Sequence, residues 1–263
     1  MRKNSQTLTT QSIPTLIKQL AIPASTGMFF NTMYNVVDTF YAGLISTQAI
    51  SALTLSFMIF FLIIGFGYGF SSAITALLGN AFGKKKYKLA TIYAHKGLIF
   101  VPLIGVILSL IGYFFAPSLF ILLGAKEDYL NLSLEYINPI LFGSVFFMFN
   151  FSLNSILVAT GDTKTYRNSL IFGFFANLVL NPLLMYGFLF IPAMGLSGIA
   201  IATVLIQIIN MGYLLYKVLQ TKLIHFEKLD YFSPNFKVYK QFLNQGIPSS
   251  LNMLTMGIGS LIL

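Results

Sequence analysis

The stretch QLAIPASTGMFFNTMYNVVDTFYAGLISTQAISALTLSFMIFFLIIGFGYGFSSAITALLGNAFG, Gln19 to Gly83, decides the fold, because Asp38 is its only charged side chain. A membrane-spanning helix needs roughly 20 mainly apolar residues. The turn-like segment Gly43 to Gln48 divides the interval into two such spans, which read as a hairpin. Further along, 97–125 and 136–161 make a third and a fourth span. The uncharged interval from Arg167 to Lys217 holds two more, separated at IPAMGLSG (Ile191 to Gly198), and 241–263 begins a seventh.

Composition agrees. Of 263 residues, 56% are hydrophobic and 9% charged, and the mean hydropathy is +0.80, too apolar for an ordinary water-soluble domain. The fold expected is an all-α integral membrane protein. A six-helix transmembrane lobe covers 1–222, with helices at about 14–42, 49–79, 92–116, 130–158, 166–191 and 196–219. A linker follows at 223–240, and helix 7 at 241–263 opens a second lobe. The first apolar stretch exceeds a signal-peptide core and reads as a retained helix.

Orientation follows from basic residues, which collect in cytoplasmic loops. Arg2, Lys3, Lys18, Lys84, Lys85, Lys86, Lys88, Lys96, Lys164, Arg167, Lys217, Lys222, Lys228, Lys237 and Lys240 fall on one side and Lys126 on the other. The amino terminus, and the linker with it, are therefore expected to be cytoplasmic in a multi-pass cell-membrane protein. The net charge of +9, densest at KKKYK (Lys84 to Lys88), is explained by this topology without nucleic acid as a partner. Having no cysteine, the chain has no disulfides or thiolate metal sites. His95 and His225 make no metal-ligand pattern.

One internal repeat stands out: IPASTGM (Ile22 to Met28) resembles IPSSLNM (Ile247 to Met253), each at the start of a long span. With six helices between the copies, both enter from the same side. The chain then reads as the first of two parallel six-helix repeats plus one helix, the second lobe being expected after Leu263.

Polar side chains inside a bilayer are costly and face the bundle interior. Asn31, Asn35 and Asp38 lie at i, i+4, i+7; so do Thr203, Gln207 and Asn210. Asn150 pairs with Asn154, and Asn177 with Asn181, at i, i+4. At 1.5 Å per residue, Asp38 lies roughly 30 Å beyond Lys18, and Asn177 and Asn181 roughly 15 to 21 Å beyond Arg167. Asp38, Asn177, Asn181 and Thr203 thus come to similar heights. A carboxylate at membrane depth costs roughly 2.5 to 3.5 kcal/mol on insertion scales and marks a functional site by default. There it can exchange a proton for Na+ or a cationic substrate. Pro23, Pro139 and Pro182 each remove a backbone donor inside a helix and kink it, so Pro23 is a candidate hinge. The glycines of GFGYGFSS (Gly65 to Ser72) permit close helix packing.

These residues resemble the MATE (multidrug and toxic compound extrusion) family. The resemblance covers nearly the whole chain and rests on NVVDTFYAGLIS (Asn35 to Ser46), GFSSAITALLGNAFGKKK (Gly69 to Lys86), LLGAKED (Leu122 to Asp128), ATGDTKT (Ala159 to Thr165), NLVLNPLLMYG (Asn177 to Gly187) and MGLSGIAIAT (Met194 to Thr203). It implies antiport, in which Na+ or H+ enters while an amphipathic, often cationic compound leaves, with no cofactor beyond the coupling ion. The resemblance places a coupling-ion site at Asp38, with Asn177 and Thr203 helping to hold Na+ and Asn181 beside them, and a bend at Pro23. Asn31, Asn35, Asn150, Asn154, Gln207 and Asn210 are expected to line the cavity.

Three departures stand out. Asn181 replaces a second aspartate frequent in the prokaryotic branch, Val158 replaces an arginine before the GD motif, and the second lobe is missing.

Two other readings remain beside it: a lipid-linked saccharide flippase of the same fold, which would place basic residues in its cavity, and a non-transporting membrane fragment. An enzyme is not expected. Glu127 and Asp128 sit in a loop and the histidines have no evident catalytic partner. GDTKT lacks the phosphate-loop pattern, and Asp162 or Thr163 caps helix 5 instead.

Overall fold

A computed structural model describes residues 12–225, 231 and 233–262, with side chains described through Met256. Arg2, Lys3 and Lys228, counted in the charge asymmetry, lie outside them. The described residues form seven helices: α1 (Ile13–Ile45), α2 (Thr47–Gly83), α3 (Tyr87–Leu122), α4 (Glu127–Ala159), α5 (Lys164–Tyr186), α6 (Gly195–Gln220) and α7 (Phe236–Ile262). Among the described residues, α2 to α6 are long and apolar enough to cross a membrane. The polar stripe of α1 lowers its hydropathy below theirs.

The helix ends follow from local chemistry. The Ser46 side chain accepts the Ala49 N–H at 3.0 Å and starts α2. Asp162 starts α5, accepting the Thr165 N–H and hydroxyl at 3.0 and 2.6 Å. Two expected boundaries are corrected. Helix 5, expected to reach 191, stops at Tyr186. There Gly187 takes φ +79 and a tight turn pairs Phe188 with Ile191, leaving Met194 N–H to bond Leu184 C=O at 3.0 Å. Helix 7 begins at Phe236 rather than 241, because Asn235 Oδ1 accepts the Val238 N–H at 3.2 Å, which shortens the expected linker.

The two expected spans are present as consecutive helices that meet beside their join, where Gly43 faces Ile50. Ser46 alone joins α1 to α2, yet α1 packs chiefly on α5, while α2 packs on α4, α7 and α3. The most enclosed helix is α4, set against α2, α3 and α6 with Ile137, Ile140, Leu141, Met148, Leu153, Ile156 and Leu157 all but fully buried. Small residues let the neighbours close on it. Ser71 donates to Phe151 C=O at 2.9 Å, Ser144 to Gly105 C=O at 3.0 Å and Ser56 to Ser133 C=O at 3.1 Å. Gly67 faces Phe151 and Met148 on α4, whereas Gly65 and Gly69 face Leu254 and Ser250 on α7. Many large apolar side chains, Phe114, Phe115, Phe142 and Val179 among them, are exposed on the outer faces. Such faces suit lipid.

Candidate functional site

Asp38 sits in the fourth quarter of α1 and is 4% exposed. The first turn of α5 stands near the Pro23 end of α1, where Gly27 has no side chain to hold the two apart: an added Cβ would lie 3.1 Å from Leu170 and 3.3 Å from the Arg167 backbone. The helices then run together, so that Asn177 and Asn181, one turn apart and fully buried, both face Asp38. Their Nδ2 groups each donate to Asp38 Oδ1 at 2.8 Å. From α6, Thr203 donates to Asp38 Oδ2 at 3.3 Å, and Tyr34, one turn before Asp38, donates its hydroxyl to Thr203 Oγ1 at 3.0 Å. The two asparagines also bond each other, at 3.2 and 3.4 Å.

Three uncharged donors thus surround a carboxylate that accepts from all of them, which is the arrangement an ionised acid asks for. Among the described residues no lysine or arginine pairs with it. A carboxylate, a hydroxyl and two side-chain amides meet here, a set that suits a hard cation such as Na+ once the amides turn their oxygens inward. A proton on the carboxyl would equally neutralise the site.

The other expected polar residues divide. Asn35 lies along an open groove of about 600 Å3 between α1 and the start of α2, with Thr32, Thr39, Phe40 and Ile50. Its Nδ2 bonds the Asn31 backbone at 3.1 Å, and Asn31 itself is exposed. Asn150, Gln207 and Asn210 were expected on a cavity wall but lie within helix contacts. Asn150 Nδ2 donates to Gln207 Oε1 and to its backbone oxygen at 2.8 and 3.0 Å, tying α4 to α6, and Asn210 is buried beside Gly173. A polar stripe at helical spacing serves interhelical bonding as well as a cavity, and here the small residues of α4 draw α6 close. Asn154 is half-buried, its Oδ1 enclosed without a partner. Pro23 is buried inside α1, and Pro248, its counterpart in the repeated motif, lies inside α7.

The sequence reading missed Tyr34, whose signal was its position one turn from Asp38 on the same helix face. It also left the histidines without partners. His225 N–H donates to His95 Nε2 at 3.0 Å, and the Tyr231 ring stacks on His95 at 4.9 Å. These contacts fasten the segment after α6 to α3.

Residues 23–183 match the MatE family. The chain belongs to the MatE family. This MatE chain is 29% identical over 220 residues to the probable multidrug resistance protein YoeA of Bacillus subtilis, covering 82% of its own length and 48% of that relative. It is 27% identical to the FAD transporter of Shewanella oneidensis, covering 81% and 48%. With the probable multidrug resistance protein NorM of Thermotoga maritima, identity is 24% and coverage 96% and 55%. An outward-facing multidrug resistance MATE family transporter of the MOP superfamily superposes with a TM-score of 0.83 at 28% identity, over 94% of this chain and 54% of that one. A MATE structure in a bent conformation gives 0.84 at 28% identity over the same shares. The MatE chain spans about half the length of the curated relatives it matches. It is a multi-pass membrane protein.

Proposed function

We propose that this MatE chain supplies the ion-coupling lobe of a secondary antiporter that exports amphipathic, often cationic compounds in exchange for Na+ or H+. The observation that carries the reading is Asp38, a buried carboxylate at membrane depth held by α5 and α6 with no cationic partner among the described residues. An acid kept this way is costly unless it binds something. Asp38 takes the coupling ion, and Asn177, Asn181 and Thr203 hold the carboxylate ready and supply oxygens to Na+. Binding exchanges their hydrogen bonds for ion contacts, which loosens or tightens α1 against α5 and α6, with Pro23 as the bend. Amino-terminal and linker lysines face the cytoplasm, as the positive-inside asymmetry requires. A saccharide flippase would require basic groups to hold phosphate, and the cluster around Asp38 has none among the described residues.

The test is flux in proteoliposomes, made with the chain alone and with the chain joined after α7 to the remaining five helices of a MatE relative. Ethidium movement driven by an imposed Na+ or H+ gradient, and lost in Asp38→Asn, supports the reading and names the ion. Flux in the joined protein that survives Asp38→Asn removes Asp38 from coupling.

A further inference from the structure

Each proline inside a helix leaves the carbonyl four residues earlier without its N–H partner. In α1, Pro23 frees the Gln19 carbonyl; in α5, Pro182 frees that of Leu178. Both are filled, and each helix fills the other's. The Thr163 hydroxyl, at the start of α5, donates to Gln19 C=O at 3.3 Å, and the Tyr41 hydroxyl of α1 donates to Leu178 C=O at 3.1 Å. Among the described residues, the carbonyls four before Pro102, Pro117, Pro139 and Pro248 receive no such side chain from another helix.

From this reciprocity we infer that Thr163 and Tyr41 are positioning residues that clip α1 to α5 through the two carbonyls their prolines release. The inference deepens the reading of Pro23 as the bend of α1 and rests on it. A proline bend with an unfilled carbonyl is free to open in any direction that wets the oxygen. With Thr163 on Gln19, opening the bend must break a specific bond to α5. Beyond the bend, Tyr41 holds the segment of α1 that carries Asp38, and it does so at Leu178, the neighbour of Asn177. The two clips therefore bracket the carboxylate. They set which parts of α1 stay with α5 when the bonds at Asp38 change, without touching the ion themselves.

The test uses amide hydrogen exchange of the chain in lipid nanodiscs, in a double-mutant design. Thr163→Val is expected to speed exchange over residues 19–27 about five-fold, the factor expected from losing one neutral hydrogen bond, and Thr163→Ser to leave it unchanged. In a Pro23→Ala background the restored N–H satisfies Gln19, so Thr163→Val has no further effect. Tyr41→Phe is expected to speed exchange over residues 178–185, and this effect is cancelled by Pro182→Ala but not by Pro23→Ala. A merely structural role would give effects that add regardless of background. Equal acceleration with and without the matching proline, or none at all, overturns the inference. The readout involves neither Asp38 nor a cation gradient, so failure here leaves the ion-site reading standing, and failure of ion-driven flux leaves the clips standing.

Discussion

Tyr34 and Asp38, one turn apart on α1, are bridged by a single hydroxyl of α6: Thr203 accepts from Tyr34 at 3.0 Å and donates to Asp38 at 3.3 Å. Replacing Thr203 by Val removes both bonds and buries the Tyr34 hydroxyl without an acceptor. Unfolding in detergent should show a loss of about 1 kcal/mol. Thr203→Ser should recover most of it, and an unchanged midpoint in Thr203→Val would mean the bridge contributes nothing.

A cation and a proton compete for the Asp38 carboxylate, which fixes the sign of a pH effect. Na+ binds the ionised form, so Na+ should raise the unfolding free energy by about 1.4 kcal/mol at ten times its Kd, and the midpoint with it. Lowering the pH places a proton on the carboxyl and weakens Na+ binding, so the rise should shrink as the pH falls. Asp38→Asn should abolish it at every pH. Choline in place of Na+ is the control, and equal stabilisation by both would exclude a Na+ site.

Asn150 should couple to Gln207. Truncating Asn150 to Ala leaves the Gln207 amide oxygen and backbone oxygen without their donor and should cost about 1 kcal/mol. Gln207→Met removes only one of the two acceptors. A double-mutant cycle in thermal unfolding should therefore return a coupling of roughly 0.6 kcal/mol, and strict additivity would place the bond outside the stability of the α4 and α6 pair.

Gly69 meets the Ser250 backbone, which cannot step aside as a flexible side chain would. Gly69→Ala should cost about 1 to 3 kcal/mol through overpacking and should prise α7 from α2 first. Protease sensitivity or hydrogen exchange confined to α7 would reveal it. A variant whose α7 exchanges like the parent would show that the two helices are less tightly seated.

Thr165 donates both its N–H and its hydroxyl to the Asp162 carboxylate. Asp162→Ala should destabilise the start of α5 by about 1 kcal/mol, and Asp162→Ser should restore part of that loss. Circular dichroism melting of the two variants decides it.

The spans were legible because charge is so rare between Lys18 and Lys217 that apolar intervals could be read directly from the sequence. Their ends were less so. The stop of α5 at Tyr186 depends on a turn whose residues, Phe188 to Ile191, are as apolar as the helix before them, so hydropathy ran straight through it. The meeting of Asp38 with Asn177, Asn181 and Thr203 was legible as heights along three helices. What spacing cannot supply is which helices are neighbours. The turn read at Gly43 to Gln48 says nothing of the other neighbours of α1, whereas buried polar partners and the close approach at Gly27 bring it to α5. Asn150 and Gln207 carried the same stripe signal as the Asp38 group, yet Asn150 Nδ2 turns to Gln207 and ties α4 to α6. The histidines illustrate the converse, since His95 and His225 are distant in sequence and meet only because α3 receives the segment after α6.

Ser46, the lone residue between α1 and α2, gives the molecule no slack at that corner. A helix held on so short a leash can swivel about its end but cannot slide along its axis without dragging α2, and α2 is anchored to α4. Apart from the bend at Pro23, any stroke of α1 as a whole is therefore a rotation with Ser46 as its pin. Its reach grows with distance from that corner, so that the greatest sweep belongs to the turns around Ile13, some 48 Å away along the helix axis.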